Sequence, residues 1–341
     1  MPAPREVIAV SKSIAFLLFS LVFTAILITS LSAQTSVNDV HVASRSATAA
    51  VATSSVQPIN DSMLHVIKTD VKLVLVPVSV TDPMQRFVTG LSQDNFEVFE
   101  DKTPQTIRNF SSEDVPISVG IILDTSGSMG DKLDRVRDAV NQFCDAANPE
   151  DEFFLISFAD APSLAVDFTT SADEIKKELL FTRPKGRTSL LDALHMGLAK
   201  MKSARYGKKA LLIISDGGDN HSRHGEKEIK SLARESDVMI YSIGTFDRYV
   251  PTLEEARGPS LLTELAEPTG GQAFTLGNVN EMPSVARHIG VELRTQYVLA
   301  YRPQGPSRDG KWRKIRVKLK LPRHFTFLQA HARTGYFASV E

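Results

Sequence analysis

"ISVGIILDTSGSMGDK", residues 117–132, runs from an apolar segment straight into a turn rich in side-chain oxygens. Ile117 to Leu123 carries no charge, the texture of a strand buried on both faces, as in a parallel sheet. Beyond it Asp124, Ser126 and Ser128 occupy every second position, and in extended chain such positions project to one side. Three chemistries compete for this turn. As a nucleophile elbow it has Ser126 where the first glycine belongs. A base is also missing, because His195 sits inside a helical pattern and His221 and His224 lie in a loop. As an aspartic-protease loop it is split by an extra serine, and the second copy that would supply the partner carboxylate does not occur in the sequence. As half of a cation site it has a complement further on. "KALLIISD" (209–216) ends an apolar run in Asp216, and "KGRTSLLDAL" (185–194) places Thr188 just ahead of a helix. Hydroxyl and carboxylate oxygens suit a hard cation such as Mg2+.

Outward from this turn the chain alternates strand and helix from about Val115 to Arg294. "KLDRVRDAVNQFCDAA" (132–147) has Val136, Val140, Phe143, Cys144 and Ala147 at helical spacing. "EFFLISFA" (152–159) reads as a strand, "SLAVDFT" (163–169) as an edge strand, and "SADEIKKELLF" (171–181) as a helix opened by a Ser171/Glu174 capping box. Helices over 189–203, 225–236, 260–271 and 281–294 alternate with strands over 209–216, 237–245 and 272–276. Repeated units of this kind predict an α/β, doubly wound, mostly parallel sheet with helices on both faces. In such sheets ligands bind at the carboxyl ends of the strands, where the strand order reverses.

Short strands flank this unit. "VKLVLVPVSV" (71–80), "FEVFE" (96–100) and "QTIRNF" (105–110) precede it; "TQYVLAYRP" (295–303), "KWRKIRVKLKLP" (311–322), "FTFLQAHA" (325–332) and "RTGYFA" (333–338) follow. Neither set buries a face alone. Together they make about seven strands, the number of a small sandwich. The expected organisation is therefore a discontinuous β-sandwich, 70–112 and 295–338, carrying the α/β domain of 113–294 as an insert. Two separate β appendages are the alternative.

The five positions Asp124, Ser126, Ser128, Thr188 and Asp216 follow the pattern D-x-S-x-S, distant Thr, distant Asp. On these residues the chain resembles a von Willebrand factor type A (VWFA) domain over about residues 113–294. It resembles more narrowly the bacterial VWFA-related domain proteins, to which "VPVSVTD" before and "YVLAYRP" and "ARTGYFA" after the domain are similar; that likeness spans about 70–338. The resemblance implies a Rossmann-like fold and a metal-ion-dependent adhesion site (MIDAS). It implies that Ser126, Ser128 and Thr188 bind the cation directly while Asp124 and Asp216 hold it through water. Neutral hydroxyls leave the cation's charge poorly neutralised, so an open position favours a Glu or Asp carboxylate from a protein partner. The implied ion is Mg2+, with Mn2+ or Ca2+ possible. No base is positioned for metal-assisted hydrolysis.

The bulk properties narrow the classes further. With 42% hydrophobic and 23% charged residues, the 341-residue chain has ordinary globular composition. A net charge of −1 gives no global field for nucleic acid. One cysteine excludes an intrachain disulfide and a cysteine-rich zinc site. Arg5 and Lys12, the apolar run Ile14 to Ile28 and "SLSAQ" (30–34) read as a signal peptide over 1–33; an uncleaved anchor is the alternative. No cysteine follows the cut, which excludes a lipoprotein. Residues 34–69 read as a flexible leader rich in Ser, Thr, Ala and Val. The expected protein is exported to periplasm, cell surface or medium. It is a non-enzymatic adhesion-type binding module, with an assembly or chaperone-like part in a cell-envelope complex as the alternative and a hydrolase behind both.

Other conspicuous residues have plainer readings. Asp219, Asn220, His221 and His224 read as a solvated rim loop, Asp192 as a helix-face residue rather than one holding the Thr188 loop, and Cys144 as a buried small hydrophobe. Lys314, Arg316, Lys318 and Lys320 alternate with apolar residues, as on a solvated strand face where lysines discourage edge pairing.

Overall fold

The computed structural model describes residues 73–216, 218–246, 253–304, 309–321 and 327–338. The expected signal peptide and leader, 1–69, lie outside the described residues. Of the described helices, none is long and apolar enough to cross a membrane.

The central layer is a six-stranded sheet built from β5 (Ser118–Asp124), β6 (Glu152–Phe158), β7 (Pro162–Thr169), β8 (Lys209–Ser215), β9 (Met239–Thr245) and β10 (Ala273–Leu276). Its order is β10-β9-β8-β5-β6-β7. All pairings are parallel except β6 with the edge strand β7. The fold is thus the mixed α/β, mostly parallel type. Its helices are α1 (Leu133–Asp145), α2 (Ala172–Phe181), α3 (Leu190–Lys200), α4 (Glu226–Glu235), α5 (Leu253–Ala266) and α6 (Met282–Thr295). Strand β5 shows why both faces must be covered. Val119, Ile121 and Leu123 pack on one side with α1, α2 and α6, while Ile122 packs on the other with α3, α4 and α5. Residue 120 shares the side of Ile122, and only a glycine fits there, because a Cβ would stand 2.2 Å from the Phe154 ring.

The two flanking segments share their sheets. β1 (Val74–Thr81) lies between β11 (Tyr297–Tyr301) and β13 (Gln329–Ala332), and β4 (Ile107–Ser111) pairs with β11, giving the order β13-β1-β11-β4. The second sheet, β14-β12-β2-β3, joins β2 (Phe96–Glu100) and β3 (Thr103–Gln105) to β12 (Trp312–Leu319) and β14 (Gly335–Phe337). Val76, Val78, Phe96, Val98, Leu299 and Ile315, drawn from both sheets, form one core. Eight strands are described here, rather than about seven.

Four local expectations are corrected. "QTIRNF" is two strands, because β3 turns back on β2 through Asp101 and Lys102, both with positive φ, and the chain then crosses to the other sheet. Ser171 stands at the start of α2 but its side chain makes no capping bond; its N–H is bonded to the Thr169 hydroxyl at 3.0 Å. Helix α5 begins earlier than read, with Pro259 inside it, and ends before Glu267. β12 is not an edge: it lies between β14 and β2, with Lys314, Arg316 and Lys318 exposed and Ile315 in the core.

Candidate functional site

The strand order reverses between β5 and β8, and the carboxyl ends of these two strands carry Asp124 and, just past β8, Asp216. Asp124 is fully buried. Its Oδ1 accepts the Ser126 N–H at 2.9 Å, which bends the chain into the turn. Its Oδ2 accepts the Ser215 hydroxyl at 2.6 Å. The Ser126 and Ser128 hydroxyls lie 3.1 Å apart, so alternate positions of the turn do converge. Burial, then the nearby Asp216 carboxylate, push the Asp124 carboxyl up to about 6. Asp216 is buried too, and Lys132 approaches it at 3.4 Å.

The loop that leads to Thr188 is tied to this turn by its backbone. Gly186 accepts the Gly127 N–H at 3.1 Å, and the Lys185 N–H bonds the Thr125 carbonyl at 2.9 Å. Gly186 has φ +83°, a conformation that favours glycine, and a Cβ there would stand 2.7 Å from Asp160 Oδ2. The buried Thr188 is held from the other side, where its N–H donates to Asn220 Oδ1 at 3.1 Å and its carbonyl accepts from Asn220 and His221. The β8 loop therefore braces the Thr188 loop.

Asp192 is the main difference from the sequence reading. It is buried, not a free helix-face residue, and its Oδ1 accepts the N–H groups of Arg223 at 2.9 Å and His224 at 3.0 Å. The His224 ring Nδ1 adds a contact at 2.7 Å and stacks on His195 with centroids 4.1 Å apart. Asp219 is likewise occupied, accepting the Ser222 hydroxyl at 2.6 Å. The rim loop is thus tied down rather than merely solvated. Ser215 and Lys132 were not singled out from the sequence, and Asn220 was read only as part of a solvated rim, not as the brace of Thr188. The one available signal was that Ser215 precedes Asp216 at the end of the same strand. Cys144 is buried away from the site, and burial pushes its thiol up to about 12.

The donor set is two carboxylates and three hydroxyls. Among the described residues no group of three or more His, Cys, Asp or Glu side chains comes together in a way that could hold a metal ion. An oxygen-only set suits a hard cation, and a buried carboxylate that feels the charge of a second one gains from a nearby cation. The residues present therefore fit a divalent metal.

A doubly wound α/β sheet with side-chain oxygens gathered at its switch point defines the class of this part of the chain: an open, Rossmann-like α/β domain. Residues 119–218, within the α/β layer, match the family described as von Willebrand factor type A domain. Among curated proteins, the chain is 25% identical over 182 residues to an uncharacterized protein of Borreliella burgdorferi, covering 46% of this chain and 53% of that one. It is 30% identical over 117 residues to inter-alpha-trypsin inhibitor heavy chain H4 of Bos taurus, covering 31% of this chain and 13% of the relative. The chain thus spans only about half, or much less, of the curated relatives it matches. A von Willebrand factor type A structure from Catenulispora acidiphila aligns with a TM-score of 0.47 at 10% identity, over 80% of this chain and 74% of that one.

Proposed function

We propose that the chain is a binding module that recognises a protein carboxylate through a divalent cation held at the β5/β8 switch point. The observation that supports this best is the state of Asp124: a fully buried carboxylate, raised to about 6, beside a second buried carboxylate and two converging hydroxyls. In this reading Ser126, Ser128 and Thr188 hold the cation directly, and Asp124 and Asp216 hold it through water. Mg2+ is the expected ion, with Mn2+ or Ca2+ as substitutes. The cation supplies an electrophilic point for an anionic oxygen. The protein supplies a rigid turn, a braced threonine loop and a buried negative pair. Both Asp124 oxygens already accept hydrogen bonds, from the Ser126 N–H and the Ser215 hydroxyl, which favours recognition over hydrolysis. Export to the envelope or beyond, and adhesion or assembly as the use, belong to the same reading.

Titration of the full chain with Mn2+ or Mg2+ tests it. One weak site is expected, with affinity reduced at least about tenfold in Ser126→Ala and in Thr188→Ala, by loss of a ligand oxygen. Unchanged affinity in both variants would remove these residues from any cation site.

A further inference from the structure

The segment "LFTRPKGRT", residues 180–188, leads from the end of α2 to Thr188 along the rim of the candidate site. Its backbone is fixed there. Besides the bonds from Lys185 to Thr125 and from Gly127 to Gly186, the Arg187 N–H donates to Asp160 Oδ1 at 2.9 Å. Pro184 lies against Gly130, 3.8 Å from where its Cβ would stand. Arg137 of α1 donates to the carbonyls of Leu179 and Thr182. Out of this fixed strip Arg183, Lys185 and Arg187 all stand exposed at every second position, as does Phe181.

Two features set this strip apart from an ordinary solvated surface. Its charges are unbalanced: three cations and no acid lie between residues 183 and 187 of a chain with net charge −1. The side chains of Arg183 and Lys185 have no ion-pair or hydrogen-bond partner among the described residues. By contrast Arg137, Lys176, Lys230 and Arg294 each pair with a carboxylate. Its apolar end is also uncovered. Phe181 is 79% and Leu180 66% exposed, side by side at the end of α2. Two adjacent exposed apolar side chains, one of them aromatic, are informative where an isolated exposed leucine is not.

We propose that this strip is a docking ridge for an extended acidic polypeptide segment. It rests on the metal-dependent reading above and specifies the partner. One carboxylate of the segment engages the cation, neighbouring carboxylates run along Arg183, Lys185 and Arg187, and an apolar side chain covers Leu180 and Phe181. The three cations alternate along the strip with the uncharged Pro184 and Gly186, so a run of carboxylates finds a positive charge along the whole stretch. Rim charges of this kind act mainly on the encounter rate and on partner choice.

Fluorescence anisotropy with the full chain tests the ridge. The probe is a labelled hexaglutamate peptide ending in leucine, with the hexaglutamine peptide as control. In Mg2+ the glutamate peptide should bind and the glutamine peptide should not. Arg183→Ser with Lys185→Ser should weaken binding roughly tenfold and flatten its salt dependence, while Mn2+ affinity stays unchanged. Phe181→Ser should weaken the leucine-ended peptide and leave plain hexaglutamate unaffected. If the double variant binds the glutamate peptide as tightly as the parent while Mn2+ still binds, the ridge is wrong and the cation site stands. If binding is lost in the double variant but indifferent to EDTA and to Ser126→Ala, the ridge stands and the cation reading falls.

Discussion

Asp124 is where chemistry and stability meet most directly. Its carboxyl titrates near 3.8 in the unfolded chain and near 6 in the fold, raised by burial first and by Asp216 second. The folded state therefore binds the extra proton between these values. The resulting stabilisation is complete below about 3.8 and is lost as pH rises through about 6. At pH 7 the metal-free protein carries an ionised, buried Asp124 that destabilises it by about 1–3 kcal/mol, at roughly 1.4 kcal/mol per pKa unit. Asp124→Asn can still accept the Ser126 N–H and meet the Ser215 hydroxyl. In EDTA this variant should melt above the parent at pH 7–8, with the gap closing toward pH 4. A variant that melts well below the parent at both pH values would show that the carboxylate is a structural acceptor. Saturating Mg2+ should reverse the order at pH 7, because only the parent gains the cation.

At the scale of elements, the site depends on how the loop after β8 is held to α3. Asp192, in the first turn of α3, accepts two backbone N–H groups of the 223–224 segment and the His224 ring. The same loop, at Asn220, braces Thr188. Asp192→Ala would leave two part-buried N–H groups without their acceptor, a loss of about 1–2 kcal/mol. Cation affinity should fall with it although Asp192 is no proposed ligand. Asp192→Asn keeps one acceptor oxygen and should recover much of both. Chemical denaturation and Mn2+ titration of the two variants check this; an alanine variant with unchanged stability would contradict the bracing role. The helical period over 189–203 was plain in the sequence, and so was the position of Asp192 on it. Its partners were not, because backbone N–H groups of a distant loop leave no trace in composition or spacing.

Across the whole molecule, the sandwich and the α/β layer meet at a buried polar cluster. Glu292 of α6 accepts from Ser79 of β1 at 2.6 Å and from Tyr241 of β9 at 2.9 Å. Gln296, between α6 and β11, donates to the same Tyr241 hydroxyl at 3.1 Å. Burial raises the Glu292 carboxyl above its ordinary 4.5. Its contribution is therefore fully present below about 4.5 and is lost as pH rises past the raised value. Glu292→Gln keeps the acceptor oxygen and carries no charge. It should be at least as stable as the parent at neutral and alkaline pH, and should lose that advantage in acid. Glu292→Leu should be destabilised by about 2 kcal/mol or more at every pH, because Ser79 and Tyr241 lose their acceptor. Melting curves of both variants from pH 4 to 9 distinguish a charge effect from a hydrogen-bonding one.

What the sequence determined by itself is local or periodic. The uncharged run from Ile117 to Leu123 marks a doubly buried strand, the spacing of Val136, Val140 and Phe143 marks a helix, and the alternation of such units specifies a mostly parallel sheet. The spacing of Asp124, Ser126 and Ser128 marks a turn whose oxygens share a side. Only the tertiary structure decided what depends on contacts between distant residues. It is responsible for β1 pairing with β11 across the whole α/β layer, for the split of "QTIRNF" between two sheets, for the placing of β12 inside its sheet, and for the closing of Asp192 on a loop thirty residues away. Strand period specifies which face is buried but not which neighbour is paired. The neighbour follows from burying one shared core, and that is a property of the assembled chain.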